Sequence, residues 1–183
     1  MLKKSKFSLI LLIGLFLIFA IAGAIYAVSY MWVSLNPNTP PGGFISPTST
    51  NVAFLKFDIQ NTASSTEDII LKTLAITNSG TSSNTSSIFS HLYLYDEVQQ
   101  IATSTKRIGE NMFVFKEINY TIPSSTASTF TIKADLGESA TSGQTIILGI
   151  NSATHIKAEG ESTASSTVIM GNFPITGNTF TIW

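Results

Sequence analysis

The sequence predicts an all-β sandwich carried behind one long hydrophobic N-terminal helix. Three observations predict it. Beyond residue 50, apolar residues recur with period two, the signature of half-buried strands. These runs are separated by Ser-, Thr-, Asn- and Gly-rich turns. Ahead of them, residues 7–33 contain no charged side chain.

Composition narrows the function classes. The chain has 183 residues, enough for one domain and an anchor. Only 11% of residues are charged and the net charge is −1, which leaves no basic footprint for nucleic acid. There is no cysteine, so disulfides, thiolate metal sites and thiol nucleophiles are excluded. An extracytoplasmic domain of this kind is held by its core and its strand ladders alone. Abundant Ser and Thr with sparse Lys and Glu favour strands and turns over surface helices.

Residues 1–6 form a basic cytoplasmic leader with Lys3, Lys4 and Lys6, which favours export of the chain beyond it. Residues 7–35 read as a hydrophobic helix. Its uncharged part would measure roughly 40 Å, against a bilayer core of about 30 Å. Phe7, Leu11, Phe16, Ile18, Ile21, Ile25, Tyr30 and Trp32 supply its apolar surface. Gly14 and Gly23 would let neighbouring helices approach closely. Tyr26, Tyr30 and Trp32 cluster where an aromatic belt meets the outer interface. A second reading takes Ala22-Gly23-Ala24 as a signal-peptidase site. Cleavage there would free residues 25–33 as a strand, donated to a neighbour or kept internally.

Residues 36–50 read as a linker. Pro37, Pro40 and Pro41 cannot continue a helix, and Gly42-Gly43 permits positive φ. Residues 51–183 then read as the extracytoplasmic sandwich. Runs at 52–59, 69–77, 88–95, 112–118, 130–136, 145–150 and 180–183 are the main strands. In the second run, Ile69, Leu71, Leu74 and Ile76 share the core only if a bulge resets their parity. Runs at 98–101, 155–158 and 168–170 read as edge strands. This gives about 7–10 strands in an antiparallel, Ig-like or jelly-roll-like layout. Segments 54–76 and 115–136 both read strand, Ser-Ser-Thr turn, strand, the form of a repeated hairpin or simply of a common turn composition.

Little in the sequence speaks for catalysis, and we expect no enzyme and no cofactor. His91 and His155 read as strand-surface histidines, without ligands at zinc spacing. No nucleotide-binding or nucleophile-elbow motif is present. Glu67-Asp68 and Asp96-Glu97 fall in predicted loops, as solvated turns or as calcium ligands. Asn84 and Asn119 head sequons and are the candidate glycosylation sites. In a binding module, Tyr93, Tyr95 and Tyr120 would form an exposed platform.

The basic leader, residues 7–14 (FSLILLIG) and residues 22–35 (AGAIYAVSYMWVSL) leading into a β-domain resemble the layout of archaeal pilins and archaellins. That resemblance implies a helix that waits in the membrane and then packs in a filament core. Lys6 departs from the family's pattern, where a Gly or Ala precedes the processing site. Residues 51–59, 76–81, 92–97 and 121–136 are similar to Ig-like modules of prokaryotic surface proteins, which implies a structural or adhesive role. The expected function is a pilin-like filament subunit, anchored in the membrane and self-associating into a homopolymer at the cell surface. On this reading, removing residues 1–35 leaves a soluble monomer. The alternative is a secreted or membrane-tethered binding or adhesion module for a glycan or cell-surface partner, assembling by strand donation.

Overall fold

Strict alternation makes β10 (Ala127–Leu136) the simplest strand. Phe130, Ile132 and Ala134 point inward with 0% exposure, while Thr129, Thr131 and Lys133 point out. The computed structural model describes residues 28–62, 67–81, 88–106, 111–137 and 139–183, and places this strand near the middle of a six-stranded sheet. On one side lie β3 (Val52–Asn61), β1 (Tyr30–Leu35) and β14 (Val168–Gly171). On the other lie β5 (Phe89–Asp96) and β6 (Gln100–Thr103).

The second sheet is built around β4 (Ile69–Asn78). Along one flank, β8 (Met112–Phe115) and β9 (Tyr120–Ile122) pair with it end to end. Along the other run β12 (Leu148–Ile150) and β13 (Ile156–Gly160). β7 (Thr105–Lys106) and β15 (Ile175–Thr176) border β8 and β12. A small sheet of β11 (Thr145–Ile146), β16 (Phe180–Ile182) and β2 (Gly43–Ile45) completes the fold.

The core lies between the sheets. Phe54 meets Phe89 and Phe180 edge-on, with centroids 5.5 and 4.8 Å apart, and Phe57 stacks on Phe130 at 5.6 Å. Bulges decide which side chains reach it. β4 shifts register opposite Lys157 and Ala158, so that Leu71 and Leu74 both point inward, as the sequence parity required. In β3 the shift opposite Ile132 and Lys133 buries Phe54 and Leu55 together, where strict alternation would expose one of them. Another in β5 turns Phe89 inward, away from the face of His91, Tyr93 and Tyr95.

Several expectations are corrected. The hydrophobic helix does not extend to residue 35, because Tyr30–Leu35 is a strand. Its alternation suits a sheet: Met31 and Val33 are fully buried, while Trp32 faces out with 38% exposure. It pairs antiparallel with β3 and parallel with β14. Tyr30 and Trp32 are therefore sheet residues, as in the alternative that kept residues 25–33 as an internal strand. The expected helix positions Phe7, Leu11, Gly14, Phe16, Ile18, Ile21, Gly23 and Ile25 lie outside the described residues. Among the described residues no helix is long and apolar enough to cross a membrane.

The expected linker is also part of the fold. It contains β2, and Gly42 and Gly43 take φ of 76° and 140° where the chain enters that strand. Asn36 Nδ2 donates to both Asp58 oxygens at 2.7 and 2.9 Å, and Lys56 N donates to Thr39 Oγ1 at 2.9 Å. The strands number sixteen among the described residues, several only two or three residues long. The β1–β14 and β2–β16 pairs are parallel, so the six-stranded and the small sheet are mixed, while the pairs of the sheet around β4 are all antiparallel as expected.

The two strand–turn–strand segments are not hairpins. Each crosses from one sheet to the other, and they pair with each other: β3 with β10, β4 with β9. Buried Asn61 ties the crossings, donating from Nδ2 to Glu67 O at 3.0 Å and Ile122 O at 3.1 Å.

Candidate functional site

The bulge in β4 has a second effect. It turns two consecutive residues, Lys72 and Thr73, onto the outer face of the second sheet, where regular pleating would bury one of them. They line an open cleft of about 800 Å³ with Ala75, Met112, Val114 and Thr105. Its ends are built by Lys116 and Glu117 after β8 and by Thr154, His155 and Lys157 around a short 3₁₀ turn, Ala153–His155. The volume falls within the range of about 300–1,000 Å³ usual for ligand sites.

Charge in the cleft is unbalanced toward the positive. Lys72 Nζ pairs with Glu159 at 2.9 Å and donates to Asn119 Oδ1 at 3.1 Å. Lys116 and Lys157 are exposed and form no ion pair with a described residue. Glu117 is the one acidic group among the described lining residues. Three threonines offer hydroxyls, and Ala75, Met112 and Val114 form an apolar floor. The 116–119 loop is strained: Glu117 and Asn119 hold φ of 54° and 51°, a conformation L-residues adopt at a cost of about 1–3 kcal/mol each. Such strain clusters at binding loops.

The sequence-predicted residues fall elsewhere, with two exceptions. Asn119 is exposed at the cleft's edge, its Nδ2 donating to Glu117 O at 3.2 Å. His155 is not on a strand; it ends the 3₁₀ turn, half-buried, with Nδ1 unpartnered among the described residues. His91 is exposed on β5, as expected, with Nδ1 3.2 Å from Ser104 O. Asn84 lies outside the described residues. No local motif marked the cleft, since its cations come from β4, the β8–β9 loop and β13.

The tyrosines do not form one platform. Tyr93 and Tyr95 share the outer face of the six-stranded sheet, with Lys133 Nζ 4.2 Å from the Tyr95 ring centroid. Tyr93 OH donates to Asp135 Oδ2 at 3.1 Å, and burial followed by that carboxylate raises the phenol's pKa. Tyr120 instead turns inward, edge-on to Phe130 at 5.2 Å.

Of the four loop carboxylates, Glu67, Asp68 and Asp96 accept from the protein's own donors, and Glu97 is exposed. Glu67 is not a solvated turn residue: it is 9% exposed and receives five hydrogen bonds. Ser29 Oγ and Thr163 Oγ1 donate to Oε1, both at 2.8 Å. Ser162 Oγ donates to Oε2 at 2.6 Å, joined by the N–H groups of Ser162 and Thr163 at 3.1 Å. Asp68 Oδ1 accepts from Ser124 N, and Asp96 Oδ1 from the N–H groups of Val98 and Gln99. Among the described residues no three His, Asp or Glu side chains gather in a metal-binding group.

No protein-family model matches the chain, and no curated protein matches it at a significant level. Among solved structures it is similar to the seventh ScaB type I cohesin from Pseudobacteroides cellulosolvens, at 14% identity and TM-score 0.37, over 84% of this chain and 92% of that one. It is similar to a family 123 glycoside hydrolase from Clostridium perfringens at 8% identity and TM-score 0.39, over 84% of this chain and 27% of that one. A collagen-binding domain from a Staphylococcus aureus adhesin aligns at 9% identity and TM-score 0.20, over 84% of this chain and 96% of that one. These scores are too low to bear on function, so what the cleft can bind rests on the chain's own residues.

Proposed function

We propose that this chain is a binding module of the cell surface: an extracytoplasmic β-sandwich, tethered by its N-terminal segment, whose cleft takes an anionic polysaccharide. The observation that carries this reading is the exposed pair Lys116 and Lys157 in one cleft with Lys72, with Glu117 as the one acidic group among its described lining residues. Carboxylate or sulfate groups would meet the two lysines, the threonine hydroxyls would meet sugar hydroxyls, and the apolar floor would meet sugar C–H faces. The strained 116–119 loop gives the site a fixed wall. The filament-subunit reading loses the last six residues of its core helix, which are β1.

The test is binding of the full chain, in detergent, to heparin and polygalacturonate, with neutral dextran as control. Binding to an anionic polymer that weakens with salt, and that is lost in a Lys116→Glu/Lys157→Glu variant, is the expected result. Equal binding to dextran, or an unaffected double variant, would remove the cleft from consideration.

A further inference from the structure

We infer that the β1–β14 edge of the six-stranded sheet is a membrane-facing surface, resting on the outer interface of the bilayer that holds the N-terminal segment. The inference rests on the tethered reading of the N-terminal segment. On that reading, crossing a hydrocarbon core of about 30 Å takes about 20 uncharged residues from those that follow Lys6. The fold takes hold almost at once. Ser29 is 1% exposed, its carbonyl accepts from Val168 N at 2.9 Å, and its hydroxyl donates to Glu67. Only residues 7–28 lie between Lys6 and this anchored residue, about the number that such a crossing uses. There is no length for a stalk.

The side chains at that edge suit an interface. Val28, Trp32 and Val168 are 46, 38 and 42% exposed. In the parallel ladder Tyr30 stands opposite Val168 and Trp32 opposite Met170, which puts all four on the sheet's outer face. Residues 28–51 and 168–183 contain no Asp, Glu, Lys or Arg, so β1 and β14 themselves bring no side-chain charge to the lipid headgroups. Trp and Tyr favour the membrane interface because an apolar ring carries a polar N–H or O–H at one end. The cationic cleft lies on the outer face of the other sheet.

The chain's two tryptophans, Trp32 and Trp183, allow a direct test. The full chain is reconstituted in phosphatidylcholine vesicles brominated at shallow acyl positions, as the Trp183→Phe and Trp32→Phe variants, and flotation is scored alongside fluorescence. The expected result is co-flotation of both variants, with Trp32 blue-shifted and quenched several-fold more than Trp183. Co-flotation with Trp32 quenched no more than Trp183 would overturn the membrane-facing edge and leave the tether standing. Failure to float would overturn the tether and this edge together.

Discussion

Glu67 shows how much one side chain can join. It links Ser29 at the start of β1, the β3–β4 crossing and the β13–β14 connection. Five donors stabilise its charged form, and its pKa falls from 4.5 to about 2. The Ser162 hydroxyl is the largest cause; burial opposes it, and Ser29 and Thr163 add to the lowering. A carboxylate whose pKa is depressed in the folded state stabilises the fold above its unfolded value, and that contribution is lost as pH falls toward the folded one. Thermal stability should therefore decline between pH 4.5 and about 2. In Glu67→Gln the melting temperature should be lower at neutral pH and should lose this component of the acid dependence, as melting curves across that range would show. Gly160 belongs to the same arrangement, since a Cβ there would strike the Glu67 carboxylate. Gly160→Ala should destabilise the fold in wild type and have a smaller effect where Glu67 is already replaced by Ala, which a double-mutant cycle would measure. Phe54 illustrates the apolar counterpart. It is fully buried between Phe89 and Phe180, so Phe54→Ala should cost about 3–5 kcal/mol in denaturant unfolding.

At the scale of elements, β1 decides where the domain begins. A chain starting at residue 36 lacks Met31 and Val33 from the core and leaves the β3 edge open. Open edges invite pairing with other chains. Removal of residues 1–35 should give an aggregating product, whereas removal of residues 1–27 should give a cooperative unfolding transition. Size-exclusion chromatography and circular dichroism of the two products would distinguish these outcomes. The bulges act at this scale too. The need for one in β4 was legible, because Leu71 and Leu74 are out of phase. The one in β3 was not, because Phe54 and Leu55 are both apolar and either could face the core.

At the scale of the molecule, the two proposed surfaces lie on opposite sheets. Protein held in vesicles should bind a soluble anionic polysaccharide as well as protein in detergent does, which a sedimentation assay with labelled heparin would check. Lys116 and Lys157 are exposed, so their contribution should fall as ionic strength rises toward about 0.15 M, where the screening length is about 8 Å. A salt titration of binding would track it.

The sequence alone determined that the chain beyond residue 50 forms strands, because alternation and turn residues are local properties. Of the weaker runs, 168–170 falls in β14 at the border of the six-stranded sheet, 98–101 only overlaps the start of the border strand β6, and 155–158, apart from His155, falls in β13, which pairs with β4 and also bridges Ser166 through Glu159. Residues 25–35 were ambiguous, because an unbroken apolar run fits a membrane helix and a buried strand equally well. Only the tertiary structure decided that Tyr30–Leu35 joins the sheet, by supplying β3 and β14 as ladder partners. The cleft was decided the same way. Lys72, Lys116, Lys157 and His155 are scattered over more than eighty residues of sequence, and only strand pairing around β4, with its bulge, brings them to one face.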